Sequence, residues 1–493
     1  MEDIKYISTR NKNIEATASE AILKGICEDG GLFVPKKMPA LDKPVGELVG
    51  LGYRDLAYEI MKLFLTDYTE KELKYCIENA YDSKFDTPII APLVSENGVH
   101  VLELFHGRTI AFKDMALSIL PYLLKTAAKK NNMEKEIVIL TATSGDTGKA
   151  ALEGFADVPG IRIMVFFPED GVSPVQKLQM VTQEGRNTYV SGINGNFDDA
   201  QSAVKNIFTD TEFVSELDGA GFVFSSANSI NIGRLVPQIV YYFYAYTQMV
   251  SNGSIECGEK INFVVPTGNF GNILAGFYAK EMGLPVNKLI CASNENKVLY
   301  DFFKTGVYDK NREFVVTSSP SMDILISSNL ERLIYQLVSD EETSRLMSCL
   351  KKDGKYSIEK RIPDIIGEYA DESDTSDAIR EMYHNCGYVL DTHTAVAFSA
   401  YKKYAKESGD ETKTVIVSTA SPYKFAEDVL SAIEGKEVSG GINQLMEKMQ
   451  EISGVPIPES VKDIDKKPVL HKAVCARDKI KDFVRSRLFD LNS

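Results

Sequence analysis

From residue 136 to residue 421 the sequence alternates between short β-branched runs and stretches with helical spacing, and this alternation narrows the fold more than any other feature. Strand-like runs are EIVILTAT (136–143), IRIMVFFPED (161–170), NTYVSG (187–192), FVFSSA (222–227), INFVVP (261–266), KLICAS (288–293) and TVIV (414–417). Helical runs such as KAALEGFAD (149–157), VSPVQKLQMVTQEG (172–185), FDDAQSAVKNIFTD (197–210) and ILAGFYAKEMG (273–283) separate them. A helix between two strands carries the chain back to the same end of the sheet, so the strands run parallel and the helices cover both faces. An α/β fold with two parallel-sheet domains is expected. Ligands of such sheets bind beyond the carboxyl ends of the strands. The polar, glycine-bearing turns Thr143–Gly148, Ser225–Asn231, Thr267–Asn272 and Ser418–Ser421 fall there.

The segments before and after this core differ from it. Residues 16–28, 53–65 and 69–81 carry apolar side chains at helical spacing. The Gly/Pro-rich extended stretch GGLFVPKKMP lies between the first two. The expected organisation is a mainly helical N-terminal domain over 1–92, a catalytic core over 93–430, and a mostly helical tail over 431–493 packed on the body. Within the core, a smaller α/β domain at roughly 120–220 is expected as an insertion in a larger one. At roughly 150 residues per domain, 493 residues suit such a division.

Composition excludes several partners. The formal net charge is -15 with no Lys/Arg-rich cluster, so a nucleic-acid face is not expected. Seven scattered cysteines without a C-x-x-C pair argue against a disulfide scaffold or a thiolate zinc site, and five histidines form no close pair. No metal is expected. The start of the chain lacks a secretory pattern. The apolar stretch Leu235–Val250 contains Pro237, Gln238 and several tyrosines, and reads as a buried helix rather than a membrane span. A cytoplasmic protein, monomer or homodimer, is the expectation.

Chemistry-bearing residues cluster in five motifs. Lys113 follows Ala111 and Phe112 in HGRTIAFKDMAL (106–117); an apolar setting eases loss of its proton, although the pattern taken alone reads as a solvated surface lysine. TSGDTG (143–148) places small and hydroxyl residues at a helix start, where they bind an anion or simply cap the helix. TGNFGN (267–272) lets the backbone approach an anion closely, but lacks the residues of a P-loop or a dinucleotide fingerprint. SSANSINIGR (225–234) ends on Arg234, a fork donor matched to phosphate or to a surface carboxylate. STASPYK (418–424) puts Thr419 after a strand. His106 and His393 read as core histidines bonded to backbone.

In order, these motifs resemble the threonine synthase family of fold type II pyridoxal-phosphate enzymes. The resemblance rests on YISTR and GGLFVP near the start, and then HGRTIAFKDMAL, TATSGDTGKAA, GVSPVQKLQM, SSANSINIGRLVPQ, VPTGNFGNILAG and STASPYKF. Two positions depart from the family pattern: Asn11 replaces a frequent Gly, and Ala420-Ser421-Pro422 replaces Ala-His-Pro. The resemblance implies that Lys113 carries pyridoxal 5'-phosphate, with Phe112 beside it. It implies that Gly268, Asn269, Phe270, Gly271 and Asn272 cradle the cofactor phosphate, that Asp146 lies near the ring hydroxyl, and that Thr419 faces the pyridine nitrogen. Ser144, Thr147, Asn228, Ser229 and Arg234 match positions that hold the carboxylate or phosphate of O-phospho-L-homoserine. The implied reaction is a carbon–oxygen lyase reaction giving L-threonine and phosphate. Phosphate leaves Cγ while the new hydroxyl enters at Cβ, so protons must leave Cα and Cβ first. A dehydratase or phospho-lyase without water addition is the alternative. A binder without turnover is opposed by Lys113 and Arg234, and a nicotinamide oxidoreductase by the missing G-x-G-x-x-G.

Overall fold

The computed structural model describes residues 3–489 apart from 144, 170, 171, 196 and 361. The N-terminal region combines three helices, Ala18–Lys24, Tyr53–Met61 and Glu70–Ala80, with a small antiparallel sheet of Glu15–Ala16, Tyr6–Ser8 and Phe33–Pro35. Two of these helices start where the sequence provides a reciprocal cap: Thr17 with Glu20 and Thr69 with Glu72 each satisfy one another's exposed amide.

Two larger sheets follow. The first runs in the order Ile365–Tyr369, Val286–Ser293, Ile261–Pro266, Thr414–Ser418, Val99–Glu103, Leu93–Glu96, parallel except for the last strand. The second runs Ala473–Ala476, Thr188–Asn194, Ile161–Pro168, Glu136–Ala142, Phe222–Ser225, parallel throughout. The tail is therefore not only helical. Its strand Ala473–Ala476 extends the second sheet, and its helix Ile480–Phe489 covers one face of that sheet.

Side chains alternate across the strands, as a period of two requires. In the first sheet Phe263, Val265, Val415 and Val417 point into one core, and Val264 and Ile416 into another. In the second, Ile137 and Ile139 join that first core, while Val138 and Leu140 face the helices Phe197–Thr209 and Ile480–Phe489. The shared core thus lies between the two sheets. It is filled by helix Ile232–Ser251, where Tyr241, Tyr242 and Tyr246 have no exposed surface. That helix is buried along nearly its whole length, and among the described residues no helix is long and apolar enough to cross a membrane.

Candidate functional site

The carboxyl ends of the strands bring the polar turns together. Strand Val99–Glu103 leads into a loop that ends at Lys113. That loop is clipped to the turn after Thr414–Ser418: Leu104 N–H donates to Ser418 O (3.0 Å), Phe112 N–H to Thr419 O (2.8 Å), and Ser421 N–H to Ile110 O (3.0 Å). Asp114 closes the loop by accepting from Thr109 N–H (2.8 Å) and Thr109 Oγ1 (2.7 Å). Ile110 sits at φ 52, a left-handed conformation that a β-branched residue rarely adopts. Strain of this kind persists where surrounding bonds over-determine the backbone.

This arrangement buries the Lys113 side chain to 12% exposure. Its Nζ donates to Ser321 Oγ (3.1 Å) and to Asp146 Oδ2 (3.3 Å), and lies 5.9 Å from the centre of the Phe112 ring. Burial depresses its proton affinity, and Lys424 and Arg234 act in the same direction against the pull of Asp146. Asp146 starts helix Asp146–Phe155. Burial opposes its ionisation, yet Lys113 and Lys424 together hold the carboxyl well below the ordinary range. Its other partners are Ser321 Oγ (2.9 Å), Gln176 Nε2 (2.8 Å) and Lys424 Nζ (2.8 Å).

The 268–272 turn links strand Ile261–Pro266 to helix Gly271–Glu281. Its carbonyls are pinned on one side: Gly268 O accepts from Ser327 Oγ (2.7 Å), and Asn269 O from Asn329 N–H and Nδ2 (3.1 Å each). In a trans peptide plane the next amide points the opposite way, so the Asn269 and Phe270 N–H groups face away from those partners. Phe270 is left-handed at φ 63. A Cβ on Gly268 would stand 2.6 Å from Ser321 O, so only glycine fits there. Asn272 Oδ1 receives the hydroxyls of Tyr241 (2.6 Å) and Tyr242 (2.7 Å), which turns its Nδ2 away from them. That Nδ2 is buried and has no hydrogen-bond partner among the described residues.

Arg234 lies in the first turn of helix Ile232–Ser251, which Asn231 caps by accepting from Gly233 N–H (2.9 Å). The guanidinium is buried, donates one bond to Ala227 O (2.7 Å), and leaves Nε without a partner. Burial pushes its pKa down to about 10. A buried guanidinium held by a carbonyl and no carboxylate is a costly arrangement, and an anionic ligand relieves it.

One cavity of about 490 Å³ joins these parts, a size that suits a small ligand. Phe112, Lys113, Thr147, Asn228, Ser229, Arg234, the whole 268–272 turn and Thr419 line it. Asp146 stands behind Lys113, and Ser144 lies outside the described residues. No group of three or more His, Cys, Asp and Glu side chains that could hold a metal occurs among the described residues.

Sequence reasoning missed Ser321, which comes from a distant segment; Gln176 and Lys424 stand within the quoted motifs GVSPVQKLQM and STASPYKF without a partner being apparent. His393 is buried as expected and its Nε2 accepts from Ser321 N–H (3.1 Å), but it also lines the cavity and its Nδ1 contacts Asp391 (3.1 Å). His106 departs from the expectation: its ring bonds two carboxylates, Asp86 (2.6 Å) and Glu103 (2.9 Å), not backbone.

Known proteins match along the chain. A family model described as threonine synthase N terminus matches residues 5–81, pyridoxal-phosphate dependent enzyme 83–420, and threonine synthase, C-terminal 394–474. The chain is 37% identical over 467 residues to threonine synthase of Saccharomyces cerevisiae, covering 87% of this chain and 89% of that one. It is 41% identical over 443 residues to human threonine synthase-like 1, covering 85% of this chain but 58% of that protein. The chain thus spans about three fifths of the length of the threonine synthase-like 1 proteins it matches. Among solved structures, threonine synthase from yeast superposes with a TM-score of 0.88 at 34% identity, covering 99% of each chain. A PLP-bound threonine synthase from Brucella melitensis does so at 0.85 and 32%, covering 99% of this chain and 100% of that one.

Proposed function

Since the chain belongs to the threonine synthase family of pyridoxal-phosphate-dependent enzymes, we propose that it converts O-phospho-L-homoserine and water into L-threonine and phosphate, with Lys113 carrying the cofactor. The observation that carries this reading is one cavity that joins a desolvated lysine, a glycine turn with an orphaned amide, and a guanidinium without a carboxylate. Such a site suits a ligand set with an aldehyde, a phosphate and a second anion.

The donors fit pyridoxal phosphate. The amides of 269–272 and Asn272 Nδ2 would hold its phosphate, aided by the positive end of helix Gly271–Glu281. Lys113 would bond its aldehyde, Asp146 would face its ring hydroxyl, and Thr419 its pyridine nitrogen. When bound, the group supplies an electron sink for carbanions at Cα and Cβ.

The protein's own residues do the rest. Thr147 takes the substrate carboxylate at the start of helix Asp146–Phe155. Arg234, Asn228 and Ser229 grip the substrate phosphate, and the fork of Arg234 gains the anion it lacks. Lys113 moves protons at Cα and Cβ, for which its burial-depressed proton affinity suits it. Thr419 offers a neutral hydroxyl, so it does not compel protonation of the ring nitrogen.

The test is product analysis with purified enzyme, pyridoxal phosphate and O-phospho-L-homoserine. Phosphate and threonine should appear in equal amounts. A 2-keto acid with ammonia in place of threonine would assign a phospho-lyase instead.

A further inference from the structure

Lys424 has no exposed side-chain surface, yet it lies in the short turn Pro422–Phe425 after strand Thr414–Ser418, aimed at the site rather than at solvent. Its Nζ is 2.8 Å from Asp146 Oδ1 and donates to Thr109 O (2.9 Å). Gln176 Nε2 occupies the same carboxylate oxygen at 2.8 Å. Lys113 is left with the other oxygen, at 3.3 Å, and shares it with Ser321 Oγ at 2.9 Å. One carboxylate therefore faces two ammonium groups, and the closer of them is not the cofactor lysine.

We propose that Lys424 is a positioning residue for Lys113: by holding Asp146 Oδ1 it denies Lys113 an undivided counterion and keeps its amine from being locked as an ion-paired ammonium. The inference rests on the pyridoxal-phosphate reading above. Two features support it. An unshared buried carboxylate beside an amine favours the charged amine strongly, and a second cation on the same carboxylate offsets that pull. The contact with Thr109 O also ties Lys424 to the turn that carries Lys113, because Thr109 is the residue that Asp114 closes. The other titratable groups around this trio are Arg234 on the Lys113 side, His393 beside Asp146, and Asp114 and Lys149 on the Lys424 side. None of them contacts Asp146 Oδ1.

The test is the rate at which full-length chain, stripped of cofactor, takes up pyridoxal phosphate, followed by absorbance across pH. Uptake needs the neutral amine, so its pH midpoint reports Lys113. K424Q should move the midpoint up by about one unit, a tenfold slower uptake below it. K424R should leave it in place. D146N should move it down, and K424Q/D146N should match D146N, because without the carboxylate charge Lys424 has no counterion to divide. Should K424Q not fold, K424M, which removes the charge but keeps an apolar side chain of similar length in this buried position, should move the midpoint the same way. A K424Q or K424M midpoint equal to wild type, or a double variant that lies as far above D146N as K424Q lies above wild type, would overturn the proposal. Wild-type chain that takes up no pyridoxal phosphate at any pH would overturn the cofactor reading instead, and this inference with it.

Discussion

Arg234 separates binding from folding. Its guanidinium is buried with one carbonyl partner and an unpartnered Nε, so it costs the ligand-free protein stability and is relieved by an anion. Arg234→Leu should raise KM for O-phospho-L-homoserine about 10- to 100-fold, from about 1.5–3 kcal/mol per charged hydrogen bond, and should raise the melting temperature of the ligand-free protein. An unchanged KM with an unchanged melting temperature would contradict both halves. Gly268 is constrained by shape: a Cβ there meets Ser321 O at 2.6 Å, which is backbone and cannot rotate away. Gly268→Ala should weaken pyridoxal-phosphate retention at least about tenfold, since displacing Ser321 also disturbs its bonds to Lys113 and Asp146. Equilibrium titration of cofactor absorbance reads this directly. The residues legible from sequence were those in contiguous motifs: Lys113, the 268–272 turn, Arg234. Ser321 was not, because it lies 208 positions from Lys113 and only the fold brings it near. Lys424 was in view, but its meaning depends on Asp146, which reaches it from another sheet.

Elements were read well where period and caps agreed, and less well where strands were short. The long helices and the strands around the glycine turns follow their sequence patterns. Strand Val99–Glu103, second from the edge of the larger sheet, did not register as a strand, although Asn97-Gly98 before it is a strong hairpin signal. Both residues take left-handed conformations, φ 47 and φ 81, as a tight two-residue turn requires. At the end of that strand, His106 joins Glu103 to Asp86. Burial opposes its protonation, but the hydrogen bonds to Asp86 and Glu103 raise its pKa to about 9. A raised folded-state value means that its contribution to stability is complete below the ordinary histidine pKa of roughly 6.5 and is lost as pH rises through about 9. His106→Asn should therefore shift the urea midpoint markedly at pH 6 and much less at pH 10. Equal shifts at the two values would show that the imidazolium is not what the loop uses.

At the scale of the whole molecule, the change of sequence pattern near Pro92 does not interrupt the core. Tyr6, Phe33 and Leu56 belong to the same apolar cluster as Tyr241 and Phe263. Arg332, with no exposed surface, binds this assembly together: it donates to Phe33 O (2.9 Å) in the N-terminal region, to Ile230 O beside Arg234, and to Asn329, which holds Asn269. No local pattern announces such a role, since a lone arginine in a helix reads as surface. Arg332→Ala leaves several buried oxygens unsatisfied and should cost about 3–5 kcal/mol, seen as a lower urea midpoint. A shift under about 1 kcal/mol would mean that the three segments hold together without it.

The most direct test of the account is covalent. Holoenzyme reduced with borohydride, digested and sequenced by mass spectrometry should carry the pyridoxyl phosphate on Lys113. Label on another lysine, or threonine formation by enzyme with no lysine labelled, would contradict it.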